Sequence, residues 1–380
     1  MMENELKIGT LIRQPHGFRA FVPAEFPACI RIDWSREMIA KHTQMIYLLG
    51  RLDEIARLLP DRDAFLEMFV RKDAATSSQI EGTMASMVDA VEAVNVQPGE
   101  TVPADVDDIL HYIKALNYGL RRVQELPLSL RLIRELHEIL MTRARSSHFA
   151  CPGEFRRTQN WIGGRDIERA RFVPPPVPEM QVALGDWEKY LHDDQNDLPL
   201  IKAALLHAQF ETIHPFLDGN GRTGRMLLTI YFTQLHLLQV PILYLSSAFK
   251  NQQDLYYTLL EAYHHGQVEE WVDFFLDAVG ATATSSIETC RRIIALREED
   301  LDKVRSLGQA AAPQTLAVIK NLYRVPRIGL EDIVAWTGYS RQGAYKMLHR
   351  LEQLGILEPA ADNKKKYVYQ RYLELFLETD

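Results

Sequence analysis

The chain has few cysteines: three in 380 residues, Cys29, Cys151 and Cys290, with no C-x-x-C spacing. That scarcity argues against a disulfide scaffold and fits unpaired core or surface thiols in a reducing compartment. There is no stretch of about 18 apolar residues and no apolar N-terminal leader, so membrane spanning and secretion are not expected and a cytoplasmic location is. Positive charge is not in excess: 43 Lys+Arg stand against 51 Asp+Glu, a net charge of −8. That balance argues against a chain devoted to nucleic acid. The Gly-x-x-x-x-Gly-Lys-Ser/Thr phosphate loop is also missing, and no β-rich run introduces a glycine fingerprint for dinucleotides.

What is present is helical patterning around a substantial apolar content of 47%. At this length two or three domains are expected. Residues 1–34 are punctuated by Pro15, Pro23 and Pro27 and read as irregular loop. Helical spacing runs over 36–59, 61–73, 74–94, 104–125 and 129–143, with Ser129 placed to cap the last. A linker is expected over 95–103. Helices follow before and after residue 214, and two long ones over 266–284 and 285–304. The composition shifts near Gln309-Ala310-Ala311-Ala312-Pro313. The expected division is a helical region at 1–103, a central domain at 104–284, a bridge at 285–312 and a C-terminal unit at 313–380.

Chemistry concentrates in His214-Pro-Phe-Leu-Asp218-Gly219-Asn220-Gly221-Arg222-Thr223-Gly224-Arg225. The glycines let backbone N–H groups approach an anion closely. The apolar run that follows reads as a helix, whose first-turn N–H groups lack internal partners and suit a phosphate. Arg222 and Arg225 are three apart, so they are expected on one face, gripping successive phosphates. Asp218 is a hard oxygen ligand suited to Mg²⁺. His214 has the intrinsic pKa to take a proton from a hydroxyl.

This run resembles the signature of Fic-domain proteins, His-x-Phe-x-[Asp/Glu]-Gly-Asn-Gly-Arg-x-x-Arg, at every specified position. The resemblance implies a mainly α-helical fold and transfer of AMP from ATP to a protein hydroxyl, with pyrophosphate leaving. It further implies His214 as the base and Phe216 as a buried anchor. Asp218 would be the Mg²⁺ ligand. Gly219, Asn220 and Gly221 would hold the α-phosphate, Arg222 the β-phosphate and Arg225 the γ-phosphate. Thr223 and Gly224, inside the same run, are included in the expected nucleotide site.

Upstream, Ser77-x-x-x-Glu81-Gly82 resembles the same family's inhibitory motif, which implies that Glu81 pairs with Arg225 and blocks the γ-phosphate. Ser77 and Glu81 are four apart, on one side of a helix. Residues 153–173, with a turn signal at Gly163-Gly164, fall where the family carries a β-hairpin flap. The resemblance implies that a target protein binds along 158–173 as an added strand. Asn251 falls where relatives contact the adenosine, beside Tyr256-Tyr257. In some relatives the reaction also runs toward AMP removal.

The C-terminal stretch reads as a winged helix-turn-helix: helices over 330–336 and 340–354 around a Thr337-Gly338-Tyr339 turn, then a basic wing and strand at 364–369. Residues 313–380 hold 10 Lys+Arg and 8 Asp+Glu. Arg341, Lys346 and Arg350 could meet phosphates, so DNA contact through 340–366 is the alternative reading, with the central domain as a nucleotide sensor. Winged helices also form dimer surfaces, and a homodimer is expected.

Overall fold

The computed structural model describes residues 5–6, 8–15, 17–59, 61–93, 102–142, 150–193, 198–308 and 311–377. Most of the expected 95–103 linker, and Gln309-Ala310 of the expected boundary, lie outside the described residues.

The first segment corrects the loop expected over 1–34. It is an antiparallel sheet of β1 (Glu5–Leu6), β2 (Gly9–Arg13) and β3 (Arg19–Pro23), in that order, with Leu11 opposite Phe21 and Arg13 opposite Arg19. Pro15 and Pro23 fall in the turn and at a strand end, where no ladder donor is needed. The runs between them are free to pair. The outer edge of β3 is held too: the Phe21 N–H donates to the Val173 carbonyl at 2.9 Å.

The rest is mainly helical. In α1 (Arg36–Arg57) the Ser35 hydroxyl accepts from the Met38 N–H at 3.1 Å and caps the helix. Its stripe of Met38, Met45, Leu49, Leu52 and Ala56 is buried, at the spacing expected of a helix packed on one face. Then come α2 (Arg62–Ile80), α3 (Met87–Ala93), α4 (Ala104–Arg122) and α5 (Leu130–Met141). The sequence reading broke α2 at Asp73. The break lies instead at Glu81-Gly82, where Gly82 takes φ 90°, a backbone state that favours glycine. Ser129 does cap α5, its hydroxyl accepting from Leu132 N–H at 3.4 Å.

Next are α6 (Val177–Leu191), α7 (Pro199–Ile213), α8 (Asn220–Gln234), α9 (Ser246–Asn251), α10 (Gln253–His264) and α11 (Val268–Arg305). Every residue of α7 from Leu200 to Phe210 is buried, as befits a helix with neighbours all round. Two indoles, Trp187 and Trp271, donate to its carbonyls at Leu206 (2.8 Å) and Ala204 (2.9 Å). α11 is one unbroken helix through residues 284 and 285, where the sequence reading divided it.

The last unit runs α12 (Ala312–Leu322), β4 (Arg327–Gly329), α13 (Leu330–Thr337), α14 (Arg341–Gln353), β5 (Glu358–Pro359), β6 (Lys366–Val368) and α15 (Gln370–Leu377). Its sheet has the order β4-β6-β5, all antiparallel. Gly338, at φ 68°, ends α13, and Ser340 caps α14. This unit packs on α2. Arg71 donates to the Arg324 carbonyl at 2.8 Å, and Phe69 meets Phe376 edge-on at 5.2 Å. Among the described residues no helix is long and apolar enough to cross a membrane.

Candidate active site

The 214–225 run joins α7 to α8 as a tight loop. His214 ends α7 in the left-handed conformation, φ 48° and ψ 61°. Gly219, also left-handed at φ 77°, precedes the first turn of α8. A Cβ at Gly219 would lie 2.7 Å from Met141 Sδ, so both space and backbone angle call for glycine there.

Four side chains hold the loop from outside or within. Arg156, 2% exposed, donates to the carbonyls of His214 (3.0 Å) and Pro175, and its own N–H donates to Pro215 O at 2.9 Å. Asn160 donates to the carbonyls of His214 (3.2 Å) and Phe216 (2.8 Å). His137 lies flat on the fully buried Phe216 ring, centroids 3.6 Å apart and planes 4° off parallel. Its Nδ1 accepts from Gly153 N–H at 3.0 Å, which leaves Nε2–H to donate to Asp218 O at 3.0 Å. Burial pushes the His137 pKa down to about 4, so it serves as a neutral bracket.

The fourth is Asn220, which the sequence reading placed at the α-phosphate. Its amide accepts from Phe216 N–H at 2.8 Å and donates to Phe216 O at 2.9 Å. The amide oxygen and one amide N–H are tied to the loop, which leaves the second N–H of the amide for another acceptor. What Asn220, Gly221 and Arg222 offer is backbone N–H at a helix start.

The loop forms one wall of a cavity of about 440 Å³, lined among others by Glu81, Trp161, Glu211, His214, Asp218 to Gly221, Arg225 and Tyr257. That is within the rough 300–1,000 Å³ range of small-molecule sites. His214 faces it. Its Nδ1 lies 3.3 Å from the Glu211 carbonyl; a carbonyl can only accept, so Nδ1 carries the proton and Nε2 keeps its lone pair. Burial, with nearby Arg156, pushes the His214 pKa down to about 4, and the ring is neutral at pH 7.

Arg225 does not point with Arg222. It donates through Nε to Ser77 Oγ (2.9 Å) and through Nη2 to Ser77 O (2.9 Å) and Glu81 Oε1 (2.7 Å). Its side chain is 2% exposed. Burial alone would lower its pKa, but Glu81, with Tyr256 and Glu211, holds it above the ordinary guanidinium value. Glu81 reaches the start of α8: a Cβ on Gly221 would lie 2.3 Å from Glu81 Oε1. Glycine at 221 is what lets that carboxylate approach the helix N-terminus. α2 is pinned at this end by Lys250, which donates to the Gln79 amide oxygen, and by Gln253, which donates to Ile80 O at 3.2 Å.

Other expected positions move. The Arg222 side chain is buried behind the wall, 3.9 Å from Asp218 Oδ2 and 3.5 Å from Met141 Sδ. The ends of Arg222 and Arg225 therefore reach different neighbours, because α8 crosses between α2 and α5. Thr223 is fully buried. Gly224 packs against α7, where a Cβ would meet Glu211 Oε1 at 2.4 Å. Neither lines the cavity: the second helical turn is needed for packing. Asn251 lines a separate cavity of about 120 Å³ with Asp73, Tyr244 and Ser286, since α9 presents its last residue to α11. Tyr257 takes the wall position instead.

The expected flap is reduced to a single bridge, Ile162 with Phe172. Gly163 and Gly164 turn at φ 67° and 78°, and a 3₁₀ turn at Ile167–Arg169 replaces a second ladder. Phe172 stacks on His264 at 4.0 Å, which ties the return strand to α10.

Asp218 fits a Mg²⁺ site. Its side chain is 41% exposed on the cavity wall, and Oδ1 accepts from Gly219 N–H at 2.7 Å. Among the described residues no group of three or more His, Cys, Asp or Glu forms a metal cage. One carboxylate plus phosphate oxygens and water is what Mg²⁺ accepts.

His137, Arg156, Asn160 and Glu211 were not found from sequence. Arg156 and Arg157 are adjacent arginines, and only the fold separates the buried one from the exposed one paired to Glu154.

Residues 127–232 match the Fic/DOC family, and residues 43–121 match the Fic/DOC family N-terminal region. The chain is 31% identical over 209 residues to the protein adenylyltransferase Fic of Drosophila grimshawi, covering 53% of this chain and 40% of that one. Against the protein of the same name from Drosophila willistoni it is 28% identical over 219 residues, 56% of this chain and 40% of the relative. It thus spans about two fifths of these relatives' length. A Fic family protein from Desulfovibrio desulfuricans superposes over 90% of this chain and 98% of its own, with a TM-score of 0.57 and 18% identity. A Fic domain containing signaling protein from Bacteroides thetaiotaomicron covers 66% of this chain and 97% of its own, TM-score 0.53 and 18% identity. At that identity the two structures speak to the fold.

Proposed function

We propose, for a chain that carries a Fic/DOC family domain at 127–232 and that family's N-terminal region at 43–121, a protein adenylyltransferase held in check by its own Glu81. AMP would pass from ATP to a Ser, Thr or Tyr hydroxyl of a target protein, or of the chain itself, with pyrophosphate released. One observation carries this reading. A neutral imidazole with an open Nε2 faces a cavity whose anion-binding end is plugged by the Glu81–Arg225 pair.

The division of labour follows from the geometry. The triphosphate would meet the N–H groups at the start of α8 and, once Glu81 leaves, Arg225. Asp218 would hold Mg²⁺, whose charge supports the phosphates when bound. The hydroxyl proton would go to His214 Nε2 as its oxygen attacks the α-phosphorus. Positioning and charge neutralisation supply most of such catalysis. A target segment would lie along 158–173, where the lone bridge leaves backbone groups for pairing.

DNA binding has less to draw on. Arg341 is paired to Glu331 at 3.1 Å, Lys366 lies 3.7 Å from Asp332, and Arg327 is held by Glu92 at 2.8 Å. We read the C-terminal unit as a winged helix whose partner is protein, including a second copy of the chain. The test of function is labelled-ATP transfer. Glu81→Gly should label protein where wild type labels little, and adding His214→Ala should cut that labelling about 10²–10⁴-fold. Equal labelling by both variants would sink the reading.

A further inference from the structure

The cavity wall holds a second ionisable group that the reading above leaves idle. Glu211 sits one helical turn before His214 on α7, its side chain 12% exposed. Both of its acceptors face the imidazole: the main-chain carbonyl lies 3.3 Å from Nδ1, and carboxylate Oε2 lies 4.0 Å from the same nitrogen. The other oxygen, Oε1, is buried without a hydrogen-bond partner. A carboxyl oxygen left in that state costs stability, a cost that a functional task would explain.

We propose that Glu211 is a positioning residue for the base: it holds His214 with Nε2 open and supplies the counter-charge that lets the ring keep the proton it removes. This rests on the transferase reading. In the step itself the hydroxyl oxygen bonds to the α-phosphorus, the bond to the pyrophosphate oxygen breaks, and the proton passes to Nε2. The ring is then a cation, and its Nδ1–H lies against Glu211. An imidazole pushed down to about 4 by burial is a weak proton holder by itself. A carboxylate at that distance favours the charged ring.

The groups facing Glu211 are Arg225 from α8, Glu81 from the end of α2, and Tyr256 and Tyr257 from α10. Burial pushes the carboxyl up to about 7, with Arg225 pulling down and Glu81 adding to the rise. The other histidines packed nearby do not titrate there: His207 and His264 are pushed down to about 3 and His137 to about 4. The carboxyl's own titration near neutrality should therefore be felt at the ring, whose Nδ1 lies 4.0 Å from Oε2.

Isotope-labelled histidine in the full chain reads this without activity. In wild type the His214 ring resonances should show two inflections, near pH 4 and near pH 7. Glu211→Gln should abolish the upper one, and Glu211→Asp should retain it. In the Glu81→Gly background, Glu211→Gln should lower kcat for AMP transfer about 10–100-fold, with KM for ATP little changed, and flatten the rise in rate between roughly pH 6 and 8. A single inflection in wild type, or an unaltered kcat and pH profile, overturns the proposal. Should Glu81→Gly transfer no AMP at all, the transferase reading falls, while the resonances still judge the pairing.

Discussion

At the residue scale the account turns on a few side chains whose neighbours decide their chemistry. His214 is usable as a base because burial keeps it neutral, down to about pH 4, and because a carbonyl fixes its tautomer. His214→Ala in a Glu81→Gly background should lower AMP transfer about 10²–10⁴-fold, with nucleotide affinity by calorimetry changed little. The sequence states residue types and spacing, and together with the family resemblance these single out His214, Asp218, Glu81 and Arg225 as candidates. It does not state where a side chain points. Asn220 closes its amide on Phe216, Arg222 turns to Met141, and Asn251 faces another cavity. Each is a tertiary outcome invisible at that scale. Ser77 is a sharper case: its hydroxyl and carbonyl take two of the bonds that hold Arg225 in place. Hydrogen bonds to charged groups contribute roughly 1.5–3 kcal/mol. Ser77→Ala should thus raise basal labelling by about tenfold, short of the Glu81→Gly level. An unchanged or lower rate would contradict the role given to Ser77.

At the element scale the presence of most helices was legible, while the boundaries of α2 and α11 were not. Ser129 caps α5 and Gly338 ends α13 where the sequence reading placed a cap and a turn, whereas Gly82 ends α2 inside a run read as one helix. The N-terminal sheet was not legible, since proline density outweighed two short extended runs, and β3 depends on an edge bond to Val173 that no local pattern announces. That sheet, the return strand and α10 meet at His264, which stacks on Phe172 and lies 5.3 Å from Phe21. Burial pushes the His264 pKa down to about 3. A depressed histidine contributes stability that is present above the unfolded value, about 6.5, and is lost as pH falls through the folded one. The stability difference between wild type and His264→Gln should therefore shrink as pH falls from about 6.5 toward 3, measured by urea unfolding. A difference that holds constant across that range would show that the ring is not buried neutral.

At the scale of the whole molecule, α2 joins two ends of the structure. Its first half is gripped by the C-terminal unit through Arg71 and Phe69, and its last turn delivers Ser77 and Glu81 to Arg225. The 214–225 signature and the Ser77–Glu81 segment lie far apart in sequence and become one site only because α2 and α8 pack together. Sequence reading could pair them through family resemblance, not through spacing. The central claim is that Glu81 occupies the ground a nucleotide phosphate needs. Labelled-ATP transfer by the full chain, wild type against Glu81→Gly, tests it most directly. The account predicts strong protein labelling by the variant and little by wild type. Equal labelling, or less from the variant, would contradict it.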